Sequence, residues 1–172
     1  MSQLALDGVQ GQIDPDNSDS CFTPKWIIEE VAEVMGSIDT DPFWHPDSHV
    51  VAPTVYDGRD LGDGKLSPWF GNVWFQPPYS DPLECAKRLR DHVNGGGSFM
   101  GLVRHDPTTE WWRTIVNGIK GGVTIGMPDR RVRFDGGYSK GGIPNLIVTF
   151  LAKGFSVNRL RDKMPWVDWR AP

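Results

Sequence analysis

Residues 76–80 read QPPYS and follow directly on the apolar run NVWF at 72–75. Neither Pro77 nor Pro78 has an N–H to give to a sheet ladder, so a strand must stop there and the chain leaves it stiffly. The carbonyls beside those prolines stay free and fixed. Gln76 adds a side-chain carbonyl, and Tyr79 adds an aromatic face. These parts suit an exocyclic amine on a flat ring, such as that of adenine. Its lone pair is delocalised into the ring. Two preorganised acceptors for its hydrogens, the Gln76 amide and the Pro77 carbonyl, favour a more tetrahedral and more nucleophilic nitrogen. Pro78 stiffens the elbow, and Tyr79 stacks on the ring. A base in a duplex has to be flipped out to reach such a pocket. The plain alternative is that the prolines only end a strand and Tyr79 packs on the core.

Four other stretches carry chemistry. In SIDTDPF, a carboxylate at a strand end beside a proline turn can accept bonds from an ammonium or from ribose hydroxyls; Asp41 is the candidate, with Asp39 as the alternative. In FTPK, Thr23 at a helix start offers a hydroxyl and exposed N–H groups, which suit a carboxylate. DGRDLGDGKL sets Asp57, Asp60 and Asp63 in a glycine-rich loop, where one of them could hold a ribose or an adenine amine. PDRRVRF supplies Arg130, Arg131 and Arg133 ahead of Phe134, with Lys140 beyond, a cluster suited to a phosphate backbone. His45 and His49 flank Asp47, but Pro46 argues against a regular helix there and no further ligand follows, so no metal is expected.

The elements that position these residues follow from the pattern. Residues 1–20 are polar and weakly patterned and read as a flexible arm; 21–172 read as a single domain. Thr23 and Pro24 open a helix that carries Trp26, Ile27, Val31 and Val34 on one stripe and stops at Gly36. Short strands are expected at 38–41 and 50–56, a buried strand at 72–75, and a helix from Asp81 and Pro82 to NGGGS. FMGLVR, GVTIGMP and NLIVTFLA read as further strands, with a helix around Trp111, Trp112 and Ile115. Strands alternating with helices give an α/β fold, three-layered with a largely parallel sheet, whose ligands sit at the carboxyl ends of the strands.

Composition narrows the partners. A net charge of -4 gives no general basic footprint, so nucleic-acid binding has to come from a local patch. Eight Trp and three Tyr serve either the core or a cleft for flat ligands. Cys21 and Cys85 form no CxxC pattern, and no apolar run is long enough to span a membrane. With no secretion signal evident, a cytoplasmic protein is expected.

Taken in order, the pieces resemble the phage-type DNA N-6-adenine methyltransferases. The resemblance rests on Thr23-Pro24, the acidic Asp39-x-Asp41-Pro42 stretch, and Asp63, Gly64, Leu66, Trp69 and Gly71. It continues through the elbow at 76–80, a Thr/Trp helix near 108–112, and Arg131-Val132-Arg133-Phe134. It covers roughly residues 21–152 and implies a Rossmann-like fold dependent on S-adenosylmethionine. It further implies that Phe22, Thr23, Pro24, Asp39, Asp41, Pro42 and Asp63 bind that cofactor. Gln76, Pro77, Pro78 and Tyr79 would hold the target adenine, and Arg130, Arg131, Arg133 and Lys140 would contact DNA. No metal is implied. A phage would use such an enzyme in its host's cytoplasm to protect DNA from restriction. The family's elbow starts with Asn, and this chain has the longer Gln76. That departure keeps open a catalytically silent protein that binds DNA or protein, and the elbow chemistry alone also admits RNA or another planar amine. The length leaves no room for a separate target-recognition domain, so recognition falls to loops such as 57–69 and 128–142.

Overall fold

The computed structural model describes residues 21–136 and 146–172. The expected arm at 1–20 and Lys140 lie outside them. Within the described residues the chain runs β1 (Cys21–Phe22), α1 (Lys25–Met35), β2 (Thr40–Asp41), β3 (Thr54–Val55), β4 (Asn72–Phe75), α2 (Pro82–Asn94) and β5 (Ser98–Arg104). It continues through α3 (Glu110–Val116), β6 (Thr124–Pro128), β7 (Asp135–Gly136), β8 (Val148–Lys153), α4 (Val157–Lys163) and β9 (Val167–Arg170).

Strand alternation assigns the core. Trp74 faces one side of the sheet, while Val73 and Phe75 face the other. Met100 and Leu102 join Trp74, and Phe99 and Val103 join Val73. The first side is covered by Ile27, Val31 and Val34 of α1 and Leu160 of α4; the second by Ala86 and Leu89 of α2 and Trp111, Trp112 and Ile115 of α3. Helices therefore lie on both faces. Each large side chain so buried contributes about 1.5–3 kcal/mol. Trp26 leaves the expected stripe: it is 43% exposed and packs against Trp166.

One sheet has the order β3-β2-β4-β5-β8-β6-β9. The expectation of a largely parallel sheet needs correction. Pairings from β3 through β5 are parallel, whereas β5/β8, β8/β6 and β6/β9 are antiparallel. The cause is topological: β6 does not pair with β5, and β8 returns between them in the opposite direction. The C-terminal tail also builds more than its composition promised. Val167 and Trp169 of β9 are buried while Asp168 and Arg170 are exposed, a period-two pattern. A separate ribbon pairs β1 with β7, so the start of the described chain meets the arginine segment. Among the described residues no helix is long and apolar enough to cross a membrane.

The amino ends of the strands are locked by Asp39. Its carboxylate accepts the Asn72 N–H at 2.8 Å and the Ser37 hydroxyl at 2.7 Å. Gly71 permits this approach: it has φ +55°, and a Cβ there would overlap the Asp39 carboxylate. Gly36 has φ +82° but open space around it. A Gly36→Ala change therefore costs only backbone strain, about 1–3 kcal/mol. Gly71→Ala adds an overpacking term of about 1–3 kcal/mol. Urea unfolding of the two variants should show the larger loss at Gly71; equal losses would mean that Asp39 does not hold this end of the sheet.

Candidate functional site

At the carboxyl end of β4 the backbone reaches Gln76 and the two prolines, where no ladder donor is available. Side chains take over. The Gln76 amide oxygen accepts the Thr23 hydroxyl at 2.6 Å, and its nitrogen donates to the Cys21 carbonyl at 3.1 Å. The elbow and the FTP stretch, more than fifty residues apart, are joined directly. Thr23 does not cap α1 as expected. Pro24 holds the N-cap position, no side chain caps it, and the Thr23 hydroxyl goes to Gln76 instead. Phe22 is buried and stacks on His45 with centroids 4.8 Å apart. That stacking, with the 2.8 Å bond between His49 and Asp135, fastens the 45–50 loop over the β1/β7 ribbon.

Tyr79 is held from β5. Its phenol oxygen accepts the Arg104 backbone N–H at 2.8 Å, and its ring meets Trp111 edge-on. The Arg104 guanidinium lies 4.1 Å above the same ring. The sequence pattern left that face for a ligand; the fold covers it with a cation. Arg104 Nε is buried and has no hydrogen-bond partner. Leaving such a donor unmade costs about 1–3 kcal/mol, and the contact with the ring returns about 0.5–2 kcal/mol. The two are comparable, so the arrangement is one that an incoming acceptor improves.

Gln76, Tyr79 and Arg104 line one pocket together with Cys21, Phe134 and Leu146. It holds about 310 Å³ counting its open mouth. Its placement at the carboxyl ends of β4 and β5 is where open α/β sheets bind ligands.

The acidic strand end lies one strand over. Asp41 closes β2 on the α1 side of the sheet, since its neighbour Thr40 pairs with Val73, which faces the other way. Burial pushes the Asp41 carboxyl up to about 7, although its bond from the Phe43 N–H pulls the other way. Next to it the Pro42 carbonyl packs against Gly64 so closely that a Cβ at Gly64 would overlap it. Trp69 Nε1 donates to the Gly64 carbonyl at 2.6 Å and fixes the loop. Gly64 thus lies against Pro42, with Asp63 preceding it in the loop. The Asp63 carboxylate accepts the Lys65 N–H at 2.8 Å, so one oxygen is already used in the turn. Asp57 is used likewise by Arg59 and Leu61 N–H groups, which hold its carboxyl below the usual range. Asp60 is exposed. Lys65 bonds Asp81 at 2.8 Å and ties this loop to the far side of the elbow. Asp39 is not part of the group. It sits at the amino end of β4, across the sheet from Gln76, and its carboxylate is engaged there.

The arginine segment reaches the pocket through Phe134. Arg131 and Arg133 are exposed on either side of buried Val132. Arg130 is weakened as a phosphate ligand, because Asp129 pairs with it at 2.6 Å. Cys85 is buried in the α2 core, and its thiol is pushed up to about 12, mainly by desolvation. Among the described residues no three His, Cys, Asp or Glu side chains cluster as metal ligands would. Sequence reasoning missed Arg104. Its signal was present, a single cation ending the apolar run FMGLV at the carboxyl edge. No family model matches the chain, and no curated protein matches it.

Asp41 makes stability depend on pH. Folded Asp41 keeps its proton up to about pH 7, whereas the unfolded group loses it near 3.8. The folded state binds more protons in that window, so stability falls as pH rises through it, by a few kcal/mol at most at ~1.4 kcal/mol per pKa unit. Asp41→Asn should flatten the fall and raise Tm above neutral pH. Thermal melts across that range check it; an unchanged profile would place the proton elsewhere.

Proposed function

We propose that this protein is an S-adenosylmethionine-dependent methyltransferase of Rossmann-like fold acting on the exocyclic amine of adenine in DNA. The observation that carries the reading is the convergence of Gln76, Tyr79 and Arg104 on one pocket at the carboxyl ends of β4 and β5, with Asp41 closing the neighbouring strand.

The residues present fit the cofactor's chemistry. Asp41 is a buried acceptor suited to a hydroxyl or an ammonium, Pro42 follows it, and Gly64 of the Asp63 loop packs on Pro42. Phe22, Thr23 and Pro24 form a buried wall on the adjoining segment. When bound, S-adenosylmethionine supplies an electrophilic methyl on a sulfonium. This chain's own part is positioning. The second lone pair of Gln76 Oε1 and the Pro77 carbonyl accept the hydrogens of the amine, and Tyr79 orients the ring. A methyl accepted there would replace one proton of the amine, which would pass to water. Holding the nitrogen in line accounts for much of the rate, since a misplacement of about 1 Å costs roughly 100-fold. Exposed Arg131 and Arg133 lie on the segment leading to the pocket, where they would meet phosphates. RNA as the acceptor is tested by the same assay.

A second reading is favoured by one observation. Both ends of the Gln76 amide already hold protein partners, as they would in a silent descendant that keeps the fold and binds DNA. Labelled S-adenosylmethionine incubated with DNA and with RNA, and mass spectrometry of plasmid from expressing cells, separate the two. The enzyme reading expects N-6-methyladenine, lost by about 100-fold in Tyr79→Ala. Its Gln76→Asn variant should weaken, because the shorter amide cannot span Thr23 and Cys21. A wild type that transfers nothing while Gln76→Asn does would instead establish the silent reading.

A further inference from the structure

Arg104 is the group that the catalytic reading leaves without a task. Its guanidinium is planar and lies 4.1 Å above the Tyr79 ring, a stacking distance, in the place a flat ligand would take. None of the ion pairs among the described residues includes it; Asp129 and Asp135 of the arginine segment pair with Arg130 and His49. Nε is buried and makes no hydrogen bond. The guanidinium is thus stacked on one ring, while its buried Nε–H lacks an acceptor. Resting on the methyltransferase reading of the same pocket, we propose that Arg104 is a substrate-binding residue for phosphate. On this proposal it stacks on Tyr79 in the empty pocket, yields the ring face to the incoming base, and turns to the phosphate attached to that base's sugar. The acceptor is then a nucleotide, free or in a strand, and a bare base or nucleoside is discriminated against.

Two features support this direction of exchange. The ring face offers the guanidinium only a quadrupole, whereas a phosphate offers oxygens in the fork geometry a guanidinium matches. Moreover, Arg104 ends β5, so its backbone stays pinned by Tyr79 and by pairing with Val148 while the side chain moves. A lysine here would keep the charge but lose the flat surface that covers Tyr79.

The test uses the intact chain with adenosine 5′-monophosphate and adenosine as probes, measured by calorimetry without S-adenosylmethionine. The monophosphate should bind about tenfold more tightly, the value of one charge-assisted bond. In Arg104→Met, which keeps the stem's packing, that ratio should fall to near one with adenosine affinity unchanged or raised. Arg104→Lys should retain part of the ratio. A residue that merely pins Tyr79 would instead weaken both probes equally. In the wild type, the Arg104 Nε–H nuclear magnetic resonance signal should move with the monophosphate more than with adenosine, which needs no variant to fold. Equal affinities, a ratio that survives Arg104→Met, no binding of the monophosphate at millimolar concentration, or a signal that moves alike with both probes would overturn the proposal. Methyl transfer to DNA without phosphate discrimination would sink this inference and leave the enzyme reading standing. Discrimination without transfer would do the reverse, and mark a nucleotide-binding site.

Discussion

The chain has to leave β4 through two residues that cannot donate a backbone hydrogen bond, and the rest of the site depends on how that exit is held. Three side-chain ties replace the missing ladder. The Gln76 amide reaches back to Thr23 and Cys21, the Tyr79 phenol takes the Arg104 N–H, and Asp81 pairs with Lys65. They come from three directions: the segment before α1, the end of β5, and the glycine-rich loop. The elbow is rigid because prolines limit its own torsions and because these ties fix its orientation. Gln76 also acquires a structural reason for its length, since one side chain bridges a hydroxyl and a carbonyl on the neighbouring segment.

The mixed sheet serves the same end. Parallel strands β2, β4 and β5 all finish on one side, which collects Asp41, Gln76 and Arg104 at a single edge. A fully parallel continuation would have begun its next strand at the opposite edge. Because β8 runs the other way, its start comes to the site, and Val148 and Leu146 become pocket wall. The β1/β7 ribbon then adds Cys21, and Phe134 arrives from the residue before β7. The carboxyl end of the sheet is thus assembled from six separate stretches of chain, while at the opposite end Asp39 holds Asn72 and Ser37 in the space that Gly71 leaves.

Charge is spent unevenly. The protein is acidic, yet several of its acids are used inside their own turns or in pairs: Asp57 and Asp63 hold loop N–H groups, Asp129 holds Arg130, and Asp135 holds His49. Two groups near the site escape that fate in opposite ways. Asp41 is buried deeply enough to keep its proton near neutrality, and Arg104 keeps a buried, unbonded Nε and no ion pair among the described residues. A local cationic spot in an acidic protein is therefore a matter of which charges are already satisfied, and composition does not reveal it.

Much of the framework was legible in the sequence because it is local. The apolar runs at 72–75, 99–104 and 145–152, the proline that opens α2 and the apolar Trp111, Trp112 and Ile115 of α3 all follow from periodicity and backbone chemistry within a few residues. The elbow was legible too, since two prolines and an aromatic declare their stiffness without help. What the tertiary structure alone decided is long-range. It placed β8 between β5 and β6, sent the Thr23 hydroxyl to Gln76 rather than to its own helix, and used Asp39 as a clamp at the wrong edge for a ligand. It also laid Arg104 over Tyr79. Each of these is a choice among partners far apart in the chain, settled by which groups are left unsatisfied once the two faces of the sheet are packed. A sequence names those groups; only the fold determines which of them meet.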